Sequence, residues 1–187
     1  MHDHIFTAHR NFLRDAVYYL YTNNRLKEAG EWFRYLAKQY PNKPALDGKP
    51  DSFPGKLTLD EFAIGRAKEN TKEFMGKDEA EMFIEGLLAT SFEKLVLDED
   101  AESEGYRRLA KQTWLSHQSQ VPKERIEAIG LRPFEDLQRE ILNRMLDPQK
   151  GFPPEPRAIL RSKLGMPTET APTQPSTNGV PDKLESR

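Results

Sequence analysis

A chain of 187 residues with a formal net charge of −2 has room for one well-filled domain, or a domain and a tail, and offers no global field to attract nucleic acid or anionic lipid. Ten Phe, six Tyr and two Trp exclude a wholly disordered chain, and the lack of cysteine excludes disulfides, thiolate nucleophiles and the usual structural zinc sites. No apolar run reaches the roughly 20 residues that span a bilayer, and the start, MHDHIFTAHR, lacks the apolar core of a signal peptide. A soluble, cytoplasmic protein with neither a nucleic-acid nor a membrane partner is expected.

Residues 1–40 lead. His2, Asp3, His4 and His9 lie at the start and are side chains that can ligate zinc, nickel or copper. The plainer reading is a frayed, polar helix start. From Asn11 to Pro41 two amphipathic stretches follow one another. The first places Phe12, Leu13, Ala16, Val17 and Leu20 on one side of a helix. The second places Ala29, Phe33, Leu36 and Tyr40 at spacings of four, three and four. Thr22-Asn23-Asn24 between them favour a turn, because their side chains compete for nearby backbone groups. Two such helices joined so briefly must fold back as an antiparallel hairpin. Trp32, beside Phe33, is either the rim of that hairpin or a seam to another copy of the chain.

Ala29, Phe33 and the Pro41 that follows eight residues later resemble the second half of a tetratricopeptide repeat. In the first half, Leu13, Ala16, Val17 and Leu20 stand where that family has Trp, Leu, Gly and Tyr. The resemblance implies a helical-repeat module whose first helix lines a groove for a protein or peptide partner. Its groove-lining places fall on Asn11, Arg14, Tyr18 and Tyr21: an amide, a guanidinium and two amphipathic aromatics.

Residues 41–57 carry four prolines and two glycines and cannot continue the second helix. They form an insertion, either a packed loop or a boundary. Residues 58–165 supply the remaining helices of the domain. Thr58 and Glu61 form a capping box ahead of Phe62, Ala63, Ala67, Thr71 and Phe74, with Gly76 as a left-handed stop. Asp78 caps the next helix, lined by Phe83, Leu87, Leu88, Phe92, Leu95 and Val96. These two make a second hairpin. Gly86, in mid-helix, costs about 1 kcal/mol relative to Ala and is expected to admit a neighbouring helix.

The acidic run from Asp98 to Glu104 has the alternation of a calcium loop, but Ser103 holds the glycine position and Leu109 the bidentate glutamate position. A solvated linker capping the next helix fits better. That helix runs through Tyr106, Leu109, Ala110 and Thr113 to Trp114, with Arg107, Arg108 and Lys111 on a solvated side. His117 ends it, placed for a dipole or cap role. Pro122 opens a short helix that Gly130 closes. Pro133 opens another, with Phe134, Leu137, Ile141, Leu142 and Met145 on one stripe and Asp147-Pro148 as its end. A last helix spans about 155–164, carrying Ile159 and Leu160, with Gly165 as its cap. Residues 166–187, rich in Pro, Thr and Ser, are expected to be a disordered tail. The fold class is all-α, with about eight helices.

No Gly-x-Ser-x-Gly elbow, phosphate loop, dinucleotide fingerprint or His-Glu-x-x-His motif occurs. His9 and His117 are preceded three residues earlier by Phe6 and Trp114, not by the glutamate of a di-metal bundle. The expectation is a non-enzymatic helical module without cofactor that contacts a protein, a peptide or a second copy of itself. Two alternatives stand beside it: a structural subunit of a larger assembly, and a small metal protein or enzyme using His2, His4 and His9.

Overall fold

The computed structural model describes residues 2–69, 77–122 and 130–167. Among these are seven α-helices and no strand, so the class is all-α. The helices are α1 (His2–Thr22), α2 (Leu26–Gln39), α3 (Leu59–Lys68), α4 (Lys77–Val96), α5 (Asp100–Gln118), α6 (Phe134–Leu146) and α7 (Pro154–Lys163), with a 3-10 turn at Pro54–Lys56. The helix expected after Pro122 and the tail from residue 168 lie outside the described residues, as do Thr71, Phe74 and Gly76.

α1 and α2 form the expected antiparallel hairpin. Thr22 belongs to the last turn of α1, and the reversal is made by the residues after it. Asn24 takes a left-handed φ of 57°, its N–H donating to the Tyr21 carbonyl at 3.0 Å while the Arg25 N–H reaches the Leu20 carbonyl at 2.9 Å. Those two bonds satisfy carbonyls that a helix end otherwise leaves orphaned. The same device ends α4 at Asp98 and α7 at Gly165, both at φ 64°. Asp98 therefore starts no linker. It is the left-handed stop of α4, and most of the acidic run forms the opening turns of α5.

Leu13, Val17, Leu20, Ala29, Phe33 and Leu36 are buried between the paired helices and the elements beneath them. Phe12 is not: it is 59% exposed. Neighbouring helix positions point about 100° apart, and the Leu13 stripe has taken the inward direction. Residues 41–57 are a packed loop. Ala45, Leu46, Ser52 and Pro54 are buried in it, and the Ser52 carbonyl accepts from the Ala45 N–H at 2.6 Å. α3 opens with the capping box, Thr58 N–H donating to Glu61 at 2.7 Å and Glu61 N–H to Thr58 at 3.2 Å. Its Phe62 ring lies 5.0 Å from that of Phe33, which pins α3 and the loop under the hairpin.

The second hairpin is made by α4 and α5, not by α3 and α4. The short link Leu97–Glu99 turns one into the other, and the buried Ser91 hydroxyl donates to the Ser103 carbonyl at 2.9 Å. α4 also carries α6 and α7, while α5 runs against α1 and α3. The larger core cluster accordingly draws Leu20 and Tyr21 from α1, Ile84 and Leu88 from α4, Leu109 from α5, Ile141 from α6 and Leu160 from α7. At the far end Arg132 reaches Glu81 at 2.7 Å and Glu85 at 2.8 Å, fastening the approach to α6 onto α4.

The close approach expected at Gly86 occurs instead at Gly105. Gly86 is exposed, and a Cβ there would meet nothing within 4 Å. Gly105 is the close-approach glycine: a Cβ built on it would lie 1.8 Å from the Thr22 carbonyl oxygen. α5 crosses the end of α1 there, backbone against helix. Gly105→Ala is therefore expected to lower unfolding free energy by about 3 kcal/mol, an overpacking cost against backbone that cannot rotate away. Gly86→Ala is expected to raise it by about 1 kcal/mol. Urea midpoints of the two variants, moving in opposite directions, check both.

Candidate functional site

The four residues that the repeat resemblance singles out do not share an open surface. Arg14 is 3% exposed and Tyr21 0%. Arg14 donates to Asn11 Oδ1 at 3.2 Å and to Glu69 Oε1 at 2.7 Å, and pairs with Asp47 at 3.0 Å. Glu69 in turn takes Arg66 and the Asp47 N–H, the latter at 2.6 Å. The Tyr21 hydroxyl donates to Asp60 Oδ1 at 2.6 Å. Burial, then that bond to a carboxylate, push the Tyr21 phenol well above its ordinary range. Tyr18 is half-buried and packs against both core clusters, and its phenol is pushed up to about 12, chiefly by burial. Asn11 alone is well exposed. The face of α1 that carries these residues is covered by the chain's own α3, insertion and α5, and cannot receive a peptide as folded.

The amino-terminal histidines give no assembled centre. The side chains of His2 and Asp3 lie outside the described residues, and among those described no three His, Asp or Glu groups converge on a point. His9 is committed elsewhere. Its Nδ1 lies 2.8 Å from the Tyr40 hydroxyl, which donates to the Phe6 carbonyl at 3.1 Å. His117 is held below its ordinary value, first by burial and then by the nearby Lys68 charge. A neutral imidazole at neutral pH does not complement the negative end of α5. A groove of about 550 Å³ between α4 and α6 is lined largely by Met82, Gly86, Ala89, Met145 and Phe152. Its Glu85 is engaged by Arg132 and Arg144, so no free acid–base pair faces it.

What the fold leaves open is the other side of the hairpin. Along α1, Ile5, His9, Phe12, Ala16 and Tyr19 follow the same four-three spacing as the core stripe, displaced by one position. Phe12 and Tyr19 are 59% and 60% exposed; on α2, Trp32 and Tyr35 are 39% and 42%. Ile5 extends the strip at 66%. The rings hold one another. Phe12 meets Trp32 edge-on at 6.4 Å between centroids, Trp32 meets Tyr35 at 6.2 Å, and His9 meets Tyr35 at 6.5 Å and Tyr40 at 5.8 Å. This chain of rings, edge-to-face except for the tilted His9–Tyr40 pair, crosses from one helix to the other and makes a continuous aromatic face on the hairpin. Among the described residues, no helix is long and apolar enough to cross a membrane.

No protein-family profile, curated protein or solved structure matches this chain.

Two expectations follow from the interior. Arg14→Met leaves Glu69, whose side chain is 9% exposed, short of its buried partner, and should cost about 3 kcal/mol in urea unfolding. A histidine depressed in the folded state binds its proton more readily when unfolded. Stability should therefore fall as pH drops below about 6.5 and on through the folded value, and His117→Gln should flatten that part of the pH–stability curve.

Proposed function

We propose that this chain is a non-enzymatic, tetratricopeptide-like helical module that works by protein–protein contact, with the aromatic face of the α1–α2 hairpin as the contact surface. The hairpin's antiparallel geometry supports the reading, as does the burial of Ala29 and Phe33 at its inner seam. The observation that carries it is the exposed set Phe12, Trp32 and Tyr35, with Trp32 edge-to-face against both of the others.

A soluble monomer seldom shows a contiguous apolar patch beyond a few hundred Å², and larger ones mark interaction sites. Tyr and Trp combine large apolar area with a polar tip, which is why they dominate the energetics of contact surfaces. The groove side expected from the repeat family is not available for this role, because Arg14 and Tyr21 are turned into the domain. A helical repeat ordinarily closes its end with a polar outer face. Here that end layer is aromatic, as a hairpin awaiting a neighbour would be.

Site-specific photo-cross-linking in the native cell tests the proposal. A benzophenone side chain at Tyr35 should give discrete protein adducts, whereas one at Lys163, on the distant α7, should not. Phe12→Asp in the Tyr35-labelled chain should abolish the adducts while leaving circular dichroism unchanged. Equal labelling from both positions, or adducts indifferent to Phe12→Asp, rejects the aromatic face as the contact surface.

A further inference from the structure

We infer that the occupant of the aromatic face is a second copy of this chain, packed hairpin against hairpin about a two-fold axis. The inference rests on the reading of that face as a contact surface and adds the identity of what meets it. Three features of the face bear on it.

The first is area. Ile5, Phe12, Tyr19, Trp32 and Tyr35 are each between 39% and 66% exposed. At about 200 Å² for a large side chain, they offer on the order of 500 Å² of surface per copy. Two copies would together bury about 1,000 Å², the least that a specific interface needs. The second is shape. The hairpin presents two parallel ridges of rings with a seam between them, and such a surface can pack on itself as a four-helix layer.

The third is charge. No Asp, Glu, Lys or Arg takes part in the ring contacts, and the exposed Asp15 beside Phe12 and Tyr19 is paired with Arg66, so a copy brings no uncompensated charge into the centre. Glu31 and Lys38 stand seven residues apart on the edge of α2 that borders Tyr35, both exposed and about 10 Å apart along the axis. If α2 runs antiparallel to its copy, Glu31 of each molecule faces Lys38 of the other, twice over. A two-fold operator makes that pairing reciprocal. A parallel arrangement would instead set Glu31 against Glu31.

Sedimentation equilibrium of the full chain across the micromolar range tests this. A monomer–dimer equilibrium is expected, with Phe12→Asp and Trp32→Ala each weakening it about 30-fold or more. Phe12 and Trp32 are outside the core, so both variants should keep wild-type circular dichroism. Glu31→Lys alone and Lys38→Glu alone should each weaken the dimer, and the double variant should recover most of the loss. A dimer insensitive to Phe12→Asp, or a double variant no tighter than the singles, overturns the arrangement. A chain monomeric throughout the range overturns the second copy. In that case adducts from Tyr35 to a different protein would leave the contact reading standing, and no Phe12-dependent adduct at all would remove both.

Discussion

One buried guanidinium decides how this molecule is assembled. Arg14 is almost without solvent, and its partners come from three separate stretches: Asn11 on its own helix, Asp47 in the insertion and Glu69 at the end of α3. A charge in that position costs several kcal/mol in desolvation unless geometry and additional hydrogen bonds compensate it. Compensation here requires the hairpin, the loop and α3 all to be in register at once. Asp47 responds to the same arrangement. Its bond to Arg14 holds its carboxyl below the usual range even though much of it faces water. Arg14 thus acts less as a source of stability than as a condition on the fold: other placements of the loop leave a buried ion unmatched.

From that condition the two sides of the hairpin diverge. The side bearing Arg14, Tyr18 and Tyr21 becomes interior, because the Arg14 network and the Tyr21–Asp60 bond draw α3 and the loop onto it. α5 then crosses the end of α1 so closely that only Gly105 fits beneath the Thr22 carbonyl. Among the described residues, no element covers the opposite side. The rings of Phe12, Tyr19, Trp32 and Tyr35 stay in contact with solvent as a direct consequence of where the polar partners sit.

Local signals in the sequence were enough for the helical class, the hairpin, the Thr58–Glu61 box and the Gly165 stop, because each is written within a few adjacent residues. The inside of the hairpin was not legible in the same way. Arg14 and Tyr21 look like surface residues, and what makes them interior lies 55 and 39 positions away in Glu69 and Asp60. Phe12 shows the complementary difficulty. It belongs to a second stripe, Ile5, His9, Phe12, Ala16 and Tyr19, with the spacing of the true core stripe. Both stripes are apolar enough to be buried, and only the packing of α3 and α5 selects one. That second stripe was the available signal for the candidate surface. Gly86 and Gly105 are likewise equivalent as mid-helix glycines until a neighbouring backbone tells them apart.

The form in which the rings are exposed matters as much as their number. Immobilising a flexible side chain on contact costs about 0.5–1.5 kcal/mol each, and that cost separates large apolar surfaces that bind from those that do not. Aromatic rings have few rotatable bonds, and here each is already held edge-on by the next, from Phe12 through Trp32 and Tyr35 to His9. His9 is itself fixed by Tyr40, whose hydroxyl is anchored on the Phe6 carbonyl. Much of the ordering that a partner would otherwise have to impose is therefore present before it arrives. A scatter of solvent-facing apolar residues left over from imperfect packing would have no reason to be linked in this way across two helices. The stacking ties the outer face to the hairpin's own geometry, so that the hairpin set by Arg14 from within also sets the surface it presents outward.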